Sequence, residues 1–206
     1  MNLQLALDRL TKEKCIQIVD ETFEFIDIIE IGTGVIKEYG MSIVREMRLL
    51  YPDKKILADM KTCDAGAHEA KQAFEAGADI ITVMAFSSDA TITDTLKVAL
   101  EYEKQVMIDL LEVHSTDRIA QLHELGVKLV SLHVGKDKQQ GGDSFHTELF
   151  NLVKGYDFEV TVAGGINLET LPNIITEKPN TIIVGSTITK SQTPKKTAQQ
   201  MKQLLR

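Results

Sequence analysis

The segment KILADMKTCDAG, residues 55–66, contains the change of pattern that decides the fold. Its apolar run indicates a buried β-strand, and the turn after it leads into a helical pattern over 65–76. Side chains alternate along a strand, so Asp59 and Lys61 are predicted to project from the same face. A stable sheet has no need for two opposite charges at a strand end with Asp64 just beyond them. The segment therefore indicates both a β/α unit and an active site.

The same alternation of an apolar run and an amphipathic segment recurs along the whole chain. Eight apolar runs are predicted as strands, at residues 3–8, 26–32, 55–61, 79–85, 105–111, 128–134, 158–164 and 181–186. The 206 residues provide about 26 for each unit, enough for a strand, a helix and two short loops. Repeated β/α units are typical of parallel sheets, and eight of them predict a single-domain (β/α)₈ barrel, a TIM barrel, over residues 1–206.

An open, doubly wound sheet has the same periodicity and remains the alternative architecture. Two observations favour the barrel. Polar residues stand at or near the C-terminal ends of strands one, two, three and six, and barrel enzymes assemble their sites from that rim. The first strand is followed directly by Asp8-Arg9-Leu10, without the glycine fingerprint of a dinucleotide site. No nucleotide cofactor is therefore predicted.

Composition and charge exclude several classes of partner. Lys and Arg number 23 against 30 Asp and Glu, a formal net charge of −7, which argues against nucleic-acid or anionic-membrane binding. No apolar stretch approaches the roughly 18 residues of a membrane span, and the N-terminal segment does not read as a signal peptide. The two cysteines, Cys15 and Cys63, lack metal-ligand or redox-motif spacing. We expect a cytoplasmic protein.

Five charged or titratable residues lie at predicted strand ends, namely Asp8, Glu30, Asp59, Lys61 and His133. A barrel would bring them from distant positions to one mouth. Carboxylates crowded into one cavity repel one another unless a cation compensates them. Glu30 and Asp59 offer hard oxygen ligands from neighbouring strands, which predicts Mg²⁺ completed by water or substrate. Zinc is less favoured because no second histidine or cysteine stands beside them.

Some of these residues also have a purely structural interpretation. Asp8 is a favoured residue type for capping the helix that follows it. Asp59 and Lys61 can form a buried ion pair that only fixes the strand, although such pairs add little net stability. His133, taken alone, is compatible with a hydrogen-bonded core histidine. His114, which ends the fifth strand, has the same ambiguity and no charged neighbour facing it.

Two glycine turns near the C-terminus predict an anion site. They follow strands seven and eight, in Ala163-Gly164-Gly165 and Val184-Gly185-Ser186. Glycine lets backbone amides approach an anion, and these two loops recurrently bind phosphate in barrels. Ordinary tight turns are the alternative. The predicted substrate is a small phosphate ester, contacted by Gly164, Gly165, Gly185 and Ser186.

The stretch KDKQQGGDS, residues 136–144, interrupts the regular series after strand six. It is polar and contains glycine, so it is predicted to be a loop. Such a loop either closes over a ligand or is a solvated connector, and the sequence favours neither interpretation.

The order of motifs resembles the orotidine-monophosphate-decarboxylase-like suprafamily and, within it, the hexulose-6-phosphate synthase branch. The motifs are LQLALD, IIEIGT, ADMKTCDAG, SLHVGKD, VAGGI and VGSTIT, spread over nearly the whole chain. The Asp-x-Lys-x-x-Asp motif is specific to the suprafamily and does not by itself select the reaction. In the related 3-keto-L-gulonate-6-phosphate decarboxylase branch, an arginine typically stands three residues after the histidine, where this chain has Lys136 after His133. This departure favours the synthase branch. The decarboxylases also often have arginine where Ser186 stands here.

The resemblance implies these roles: Mg²⁺ ligation by Glu30 and Asp59, enediolate stabilisation by Lys61, proton transfer by His133, and completion of the partner's site by Asp64 in a homodimer. The chemistry of such a site also leads us to expect that Asp8 hydrogen-bonds substrate hydroxyls. The implied reaction is an aldol condensation of formaldehyde with ribulose 5-phosphate. Two alternatives remain. One is decarboxylation of 3-keto-L-gulonate 6-phosphate, which shares the enediolate, and the other is a catalytically silent sugar-phosphate-binding protein.

Overall fold

The computed structural model describes residues 1–140 and 145–206, whose strands close into a barrel. The strands are β1 (Asn2–Leu7), β2 (Ile28–Ile31), β3 (Lys55–Thr62), β4 (Ile80–Met84), β5 (Gln105–Asp109), β6 (Leu129–His133), β7 (Glu159–Ala163) and β8 (Thr181–Val184). All neighbouring strands are parallel, and β8 pairs with β1. The predicted (β/α)₈ barrel is thus confirmed, and the open sheet is excluded because the last strand closes on the first.

Helices cover the outside of the barrel. They are α1 (Lys12–Thr22), α2 (Thr33–Tyr39), α3 (Met41–Leu50), α4 (Gly66–Glu75), α5 (Asp89–Glu101), α6 (Thr116–Glu124), α7 (Lys136–Gln140), α8 (Leu171–Ile175), α9 (Ser186–Thr189) and α10 (Pro194–Leu204), with a 3₁₀ turn at Thr147–Leu152. Within the described ranges, no helix is long and apolar enough to cross a membrane. The predicted loop 136–144 is partly wrong, because its first five residues form α7. Residues 141–144 lie outside the described part.

Apolar side chains of the strands pack in two directions. One set fills the barrel interior and consists of Ile28, Leu57, Ile80, Met107, Leu129, Ala163 and Ile183. The opposite faces of the strands pack against the helices, which explains why the strands read as near-continuous apolar runs. Glu30, Asp59 and Asp109 each lie two residues after a member of the interior set. Because side chains alternate, a polar layer stands directly on the apolar one.

Asp79, just before β4, is the centre of an ion network at the other end of the barrel. Its carboxylate accepts hydrogen bonds from the Ile56 amide at 2.9 Å and from Lys104 Nζ at 2.6 Å, and it pairs with the Arg48 guanidinium. Burial alone would raise the pKa of Asp79, but these donors outweigh burial and hold the pKa below its ordinary value. The network ties α3 to the N-terminal ends of β3, β4 and β5.

We expect Asp79→Asn to lower the free energy of unfolding by about 2 kcal/mol near neutral pH, because Arg48 and Lys104 lose a charged acceptor. The pKa of Asp79 is depressed in the folded state. Its carboxylate therefore stabilises the fold above the unfolded pKa of about 3.9, and this contribution is lost as pH falls through the folded pKa. Urea unfolding from about pH 7 to about pH 3 should show the wild-type and variant free energies converging in acid.

A matched control is Asp94→Asn, which removes the carboxylate of an exposed ion pair with Lys97. We expect it to change the free energy of unfolding by less than about 0.5 kcal/mol. A difference between wild type and Asp79→Asn that stays constant down to acid pH would contradict the role assigned to the carboxylate.

Candidate active site

A cavity of about 700 Å³ opens at the C-terminal ends of the strands, and every strand contributes to its wall. It brings together most of the predicted site residues, namely Asp8, Glu30, Asp59, Lys61, His133, Gly164, Gly165, Gly185 and Ser186. Asp64 is exposed and lies outside this wall. His114 is on the wall of a second cavity of about 490 Å³, which His133 also borders. The prediction that distant strand ends converge on one mouth is therefore confirmed.

Glu30 and Asp59 form a pair of buried carboxylates on β2 and β3, with 8% and 7% of their surfaces exposed. Glu30 Oε2 accepts a hydrogen bond from Gln4 Nε2 at 2.7 Å. Asp59 accepts from the hydroxyls of Thr33 at 2.8 Å and Thr82 at 2.7 Å. Burial, followed by the negative charge of Asp59, raises the pKa of Glu30 well above its ordinary value. The hydrogen bond from Gln4 and the positive charge of Lys61 do not offset these two effects at Glu30.

A divalent cation suits this pair. Three buried carboxyl groups, those of Glu30, Asp59 and Asp109, stand around one ammonium, that of Lys61, and a cation beside Glu30 would favour its ionised form. Carboxylate oxygens are hard ligands, and Mg²⁺ characteristically takes one or two of them, with water and substrate completing an octahedron. In residues 1–140 and 145–206, no three His, Cys, Asp or Glu side chains are grouped to hold a metal. An ion here would therefore depend on two carboxylates and on ligands from outside the protein.

Lys61, Asp109 and His133 form a hydrogen-bonded row beside the carboxylate pair. Asp109 Oδ2 accepts from Lys61 Nζ at 2.7 Å and lies 3.0 Å from His133 Nδ1, while Oδ1 accepts from the Leu111 amide at 3.0 Å. The sequence analysis missed Asp109. A signal for it existed, because Asp109 ends the run QVMID just as Asp59 ends the run ILAD.

The row fixes the charge state of its members. Burial alone would lower the pKa values of Lys61 and His133, but Asp109, together with Asp59, outweighs burial and raises both. Burial alone would raise the pKa of Asp109, but the hydrogen bond and charge of His133, with the charge of Lys61, hold it far below its ordinary range. Asp109 therefore accepts the Nδ1 proton of His133. The other ring nitrogen, Nε2, is the one available for proton transfer.

A bulge in β3 presents Lys61 to the cavity. Between Ala58 and Thr62 the pairing with β4 shifts register, and Lys61 has a φ of +48°, which is uncommon for a residue with a Cβ. The hydroxyl of Thr82 accepts from the Lys61 amide at 2.9 Å and donates to Asp59 Oδ1 at 2.7 Å. Thr82 therefore fixes the bulge and the carboxylate together. Lys61 Nζ lies 3.3 Å from Asp59 Oδ1, so the predicted projection of both from one face is confirmed.

Asp8 does not cap the helix that follows it, so that structural interpretation is wrong. Thr11 caps α1, its side chain accepting from the Lys14 amide. Asp8 Oδ1 instead accepts from the Gly34 amide at 2.9 Å, in the first turn of α2. A carboxylate can accept a hydrogen bond from an amide in the first turn of a helix even when the two residues are far apart in the sequence. Asp8 thus fixes the loop after β2 while remaining on the cavity wall.

The two glycine turns line the cavity. Gly164 has a φ of +125°, and a Cβ there would lie 2.8 Å from atoms of the segment after β6, so glycine is required. None of the described residues accepts a hydrogen bond from the backbone amides of Gly164, Gly165 or Gly185. Lys136 and Lys190, which the sequence analysis did not assign to the site, border the same cavity. Amides and ammonium groups together can bind an anion.

We expect Asp109→Asn to lower the pKa of His133, because the variant removes the negative charge and the acceptor that raise it. A titration of the imidazole C–H resonances by NMR measures this change. Asp94→Asn, on the surface, is a matched control and should leave the titration of His133 unaltered. An unchanged His133 titration in Asp109→Asn would contradict the hydrogen-bonded row.

Comparisons with known proteins agree with this geometry. Residues 1–201 match the family model described as Orotidine 5'-phosphate decarboxylase / HUMPS family. The chain is 41% identical over 209 residues to 3-hexulose-6-phosphate synthase of Bacillus subtilis (strain 168), covering 100% of this chain and 99% of that protein. A 3-hexulose-6-phosphate synthase of Staphylococcus aureus (strain USA300) is 36% identical over 97% of this chain and 96% of its own length.

Solved structures give the same result. The crystal structure of 3-hexulose-6-phosphate synthase from Salmonella typhimurium superposes with a TM-score of 0.97 at 34% identity, covering 100% of this chain and 98% of that one. A crystal structure of KGPDC from Streptococcus mutans superposes with a TM-score of 0.92 at 28% identity, covering 99% of this chain and 96% of that one. The chain belongs to the orotidine 5'-phosphate decarboxylase / HUMPS family, as its motifs predicted.

Proposed function

We propose that this protein is a Mg²⁺-dependent aldolase that condenses formaldehyde with D-ribulose 5-phosphate to give D-arabino-hex-3-ulose 6-phosphate. The observation that supports it best is the row of Lys61, Asp109 and His133 beside the buried carboxylates of Glu30 and Asp59. Such a site joins a base, a fixed cation and oxygen ligands around the position where an enediolate would form. The similarity to proteins named 3-hexulose-6-phosphate synthase supports the same reaction.

The row supplies the proton transfers. His133 takes the proton from C1 of ribulose 5-phosphate at Nε2, because Nδ1 is held by Asp109. The electron pair of the C–H bond passes into an enediolate over C1 and C2, and the Lys61 ammonium stabilises its negative charge. C1 then attacks the carbonyl carbon of formaldehyde, forming the C–C bond. The former carbonyl oxygen takes the proton from the imidazolium, which restores the base.

Glu30 and Asp59 would hold the Mg²⁺ ion. When bound, the ion supplies Lewis-acid stabilisation of the charge that develops on the enediolate oxygens. Thr33 and Thr82 fix the Asp59 carboxylate through hydrogen bonds of 2.8 and 2.7 Å. Asp8, on the same wall, is placed to bind substrate hydroxyls.

The phosphate of the substrate would bind at the two glycine turns. The backbone amides of Gly164, Gly165 and Gly185, which donate to none of the described residues, lie there with the exposed hydroxyl of Ser186. Lys136 and Lys190 add positive charge to this side of the cavity. A local cluster of amides and lysines accounts for anion binding by a chain whose net charge is −7.

We expect the purified protein with Mg²⁺ to consume formaldehyde only when ribulose 5-phosphate is present, and to stop when a chelator removes the metal. Lys61→Ala should lower kcat by about 100- to 1000-fold, because it removes a fixed cation from the transition state. Lys97→Ala, in an exposed ion pair, is the control and should keep full activity.

The same assay, run with 3-keto-L-gulonate 6-phosphate, tests the decarboxylase alternative. Carbon dioxide release without formaldehyde fixation would overturn the proposal in favour of that reaction. The absence of both reactions, and of proton exchange at C1 of ribulose 5-phosphate, would leave a sugar-phosphate-binding protein.

We also propose a homodimer with shared sites, in which Asp64 completes the site of the partner subunit. Its exposure outside its own cavity supports this arrangement. Mixing inactive Lys61→Ala and Asp64→Asn proteins should restore about a quarter of wild-type activity, because half of the randomly formed dimers are hybrids with one intact site. If Asp64 acts within its own chain, both sites of every hybrid are defective, and no activity returns.

A further inference from the structure

Gln4 is a polar side chain in an otherwise apolar layer of the barrel. It is wholly buried, and its register neighbours on β2 and β8 are Ile28 and Ile183, both members of the apolar interior set. Its Nε2 donates to Glu30 Oε2 at 2.7 Å, and its side chain borders the large cavity. A buried amide costs free energy unless hydrogen bonds compensate it. An aliphatic residue would fill this position at lower cost.

The oxygen atom of the Gln4 amide receives no hydrogen bond from the described residues. Gln4 Oε1 is buried and has no hydrogen-bond partner among the described residues. The opposite orientation is unfavourable, because it would turn Oε1 toward the carboxylate of Glu30. The contact with Glu30 therefore dictates the orientation of the amide and leaves Oε1 unpaired. Among the described side chains, Glu30 is the one group that gains from an amide at this position.

We propose that Gln4 is a positioning residue for the cation site, an inference that rests on the proposed function. It holds Oε2 of Glu30 at 2.7 Å, so that the other carboxylate oxygen would be available to a divalent cation. Its own unpaired Oε1 accepts a hydrogen bond from water inside the site. Carboxylates that bind metals are commonly fixed by such hydrogen bonds, and loss of the partner weakens metal binding by about 10- to 100-fold.

Manganese binding tests this proposal without relying on catalysis. The fraction of free Mn²⁺, measured by EPR, gives the Kd of the wild-type protein, and competition with MgCl₂ gives that of Mg²⁺. Gln4→Met keeps the length of the side chain and removes its donor, so its Kd should rise by about 10- to 100-fold. Formaldehyde consumption should fall at low Mg²⁺ and recover at saturating Mg²⁺.

Thr161→Val is the matched control. Thr161 is also buried in the barrel, but its hydroxyl donates to the Val130 carbonyl at 3.1 Å and lies 3.7 Å from Met107 Sδ, away from Glu30. This variant should bind Mn²⁺ as the wild type does. Gln4→Asn, which keeps the amide but draws it back from Glu30, is a second variant and should also weaken binding.

The outcomes separate this inference from the proposed function. If the wild type binds Mn²⁺ and both Gln4 variants bind it equally well, the role of Gln4 is overturned and the aldolase proposal stands. If the wild type binds no divalent cation, the proposed use of Mg²⁺ fails, and the role of Gln4 fails with it. If neither Gln4 variant folds, as judged by circular dichroism, Gln4 is a structural residue and the inference is overturned.

Discussion

The carboxylate of Asp109 holds Lys61 and His133, the cation and the proposed base of the cavity, in place. It is 3% exposed and contacts both Lys61 Nζ and His133 Nδ1. Burial disfavours the charged forms of Lys61 and His133 and so lowers their pKa values, and Asp109, together with Asp59, outweighs this effect for both. Asp109 thus maintains a positive lysine and a defined histidine tautomer. The same constraint requires the donors around the carboxylates of Asp59 and Glu30.

The sequence was sufficient to predict the barrel and most of its mouth. Parallel strands all point the same way, so a polar residue at the end of one apolar run must lie near the polar residues that end the others. Glu30, Asp59, Lys61 and His133 were found by this rule alone. Asp109 obeys the same rule, because it lies two residues before the end of its predicted strand, as Asp59 and Glu30 do in theirs. Unlike Asp59, which Lys61 follows, Asp109 has no oppositely charged residue two positions later, and so it did not form a recognisable motif.

Contacts between elements were beyond the reach of sequence patterns. Thr82 lies in the run DIITVMA, where a β-branched residue reads as an ordinary strand former, yet its hydroxyl ties the backbone of Lys61 to the carboxylate of Asp59. The bulge at Lys61 contains no glycine, the residue that usually indicates a bulge in a sequence. Asp8 accepts a hydrogen bond from the amide of Gly34, in a helix that is distant from Asp8 in the sequence. Each of these features depends on the register of neighbouring strands, which local propensity does not encode.

The two ends of the barrel treat their carboxyl groups in opposite ways. At the N-terminal end, Asp79 has a backbone amide, a lysine and an arginine around one carboxylate, and its pKa is lowered. At the C-terminal end, the pKa of Glu30 is raised, and the amide oxygen of Gln4 has no partner in the described part of the chain. Natural proteins violate the rules of stability chiefly at functional sites and compensate elsewhere. The Asp79 network and the apolar interior layer supply stability, so the C-terminal end can keep polar groups that the described residues compensate only in part.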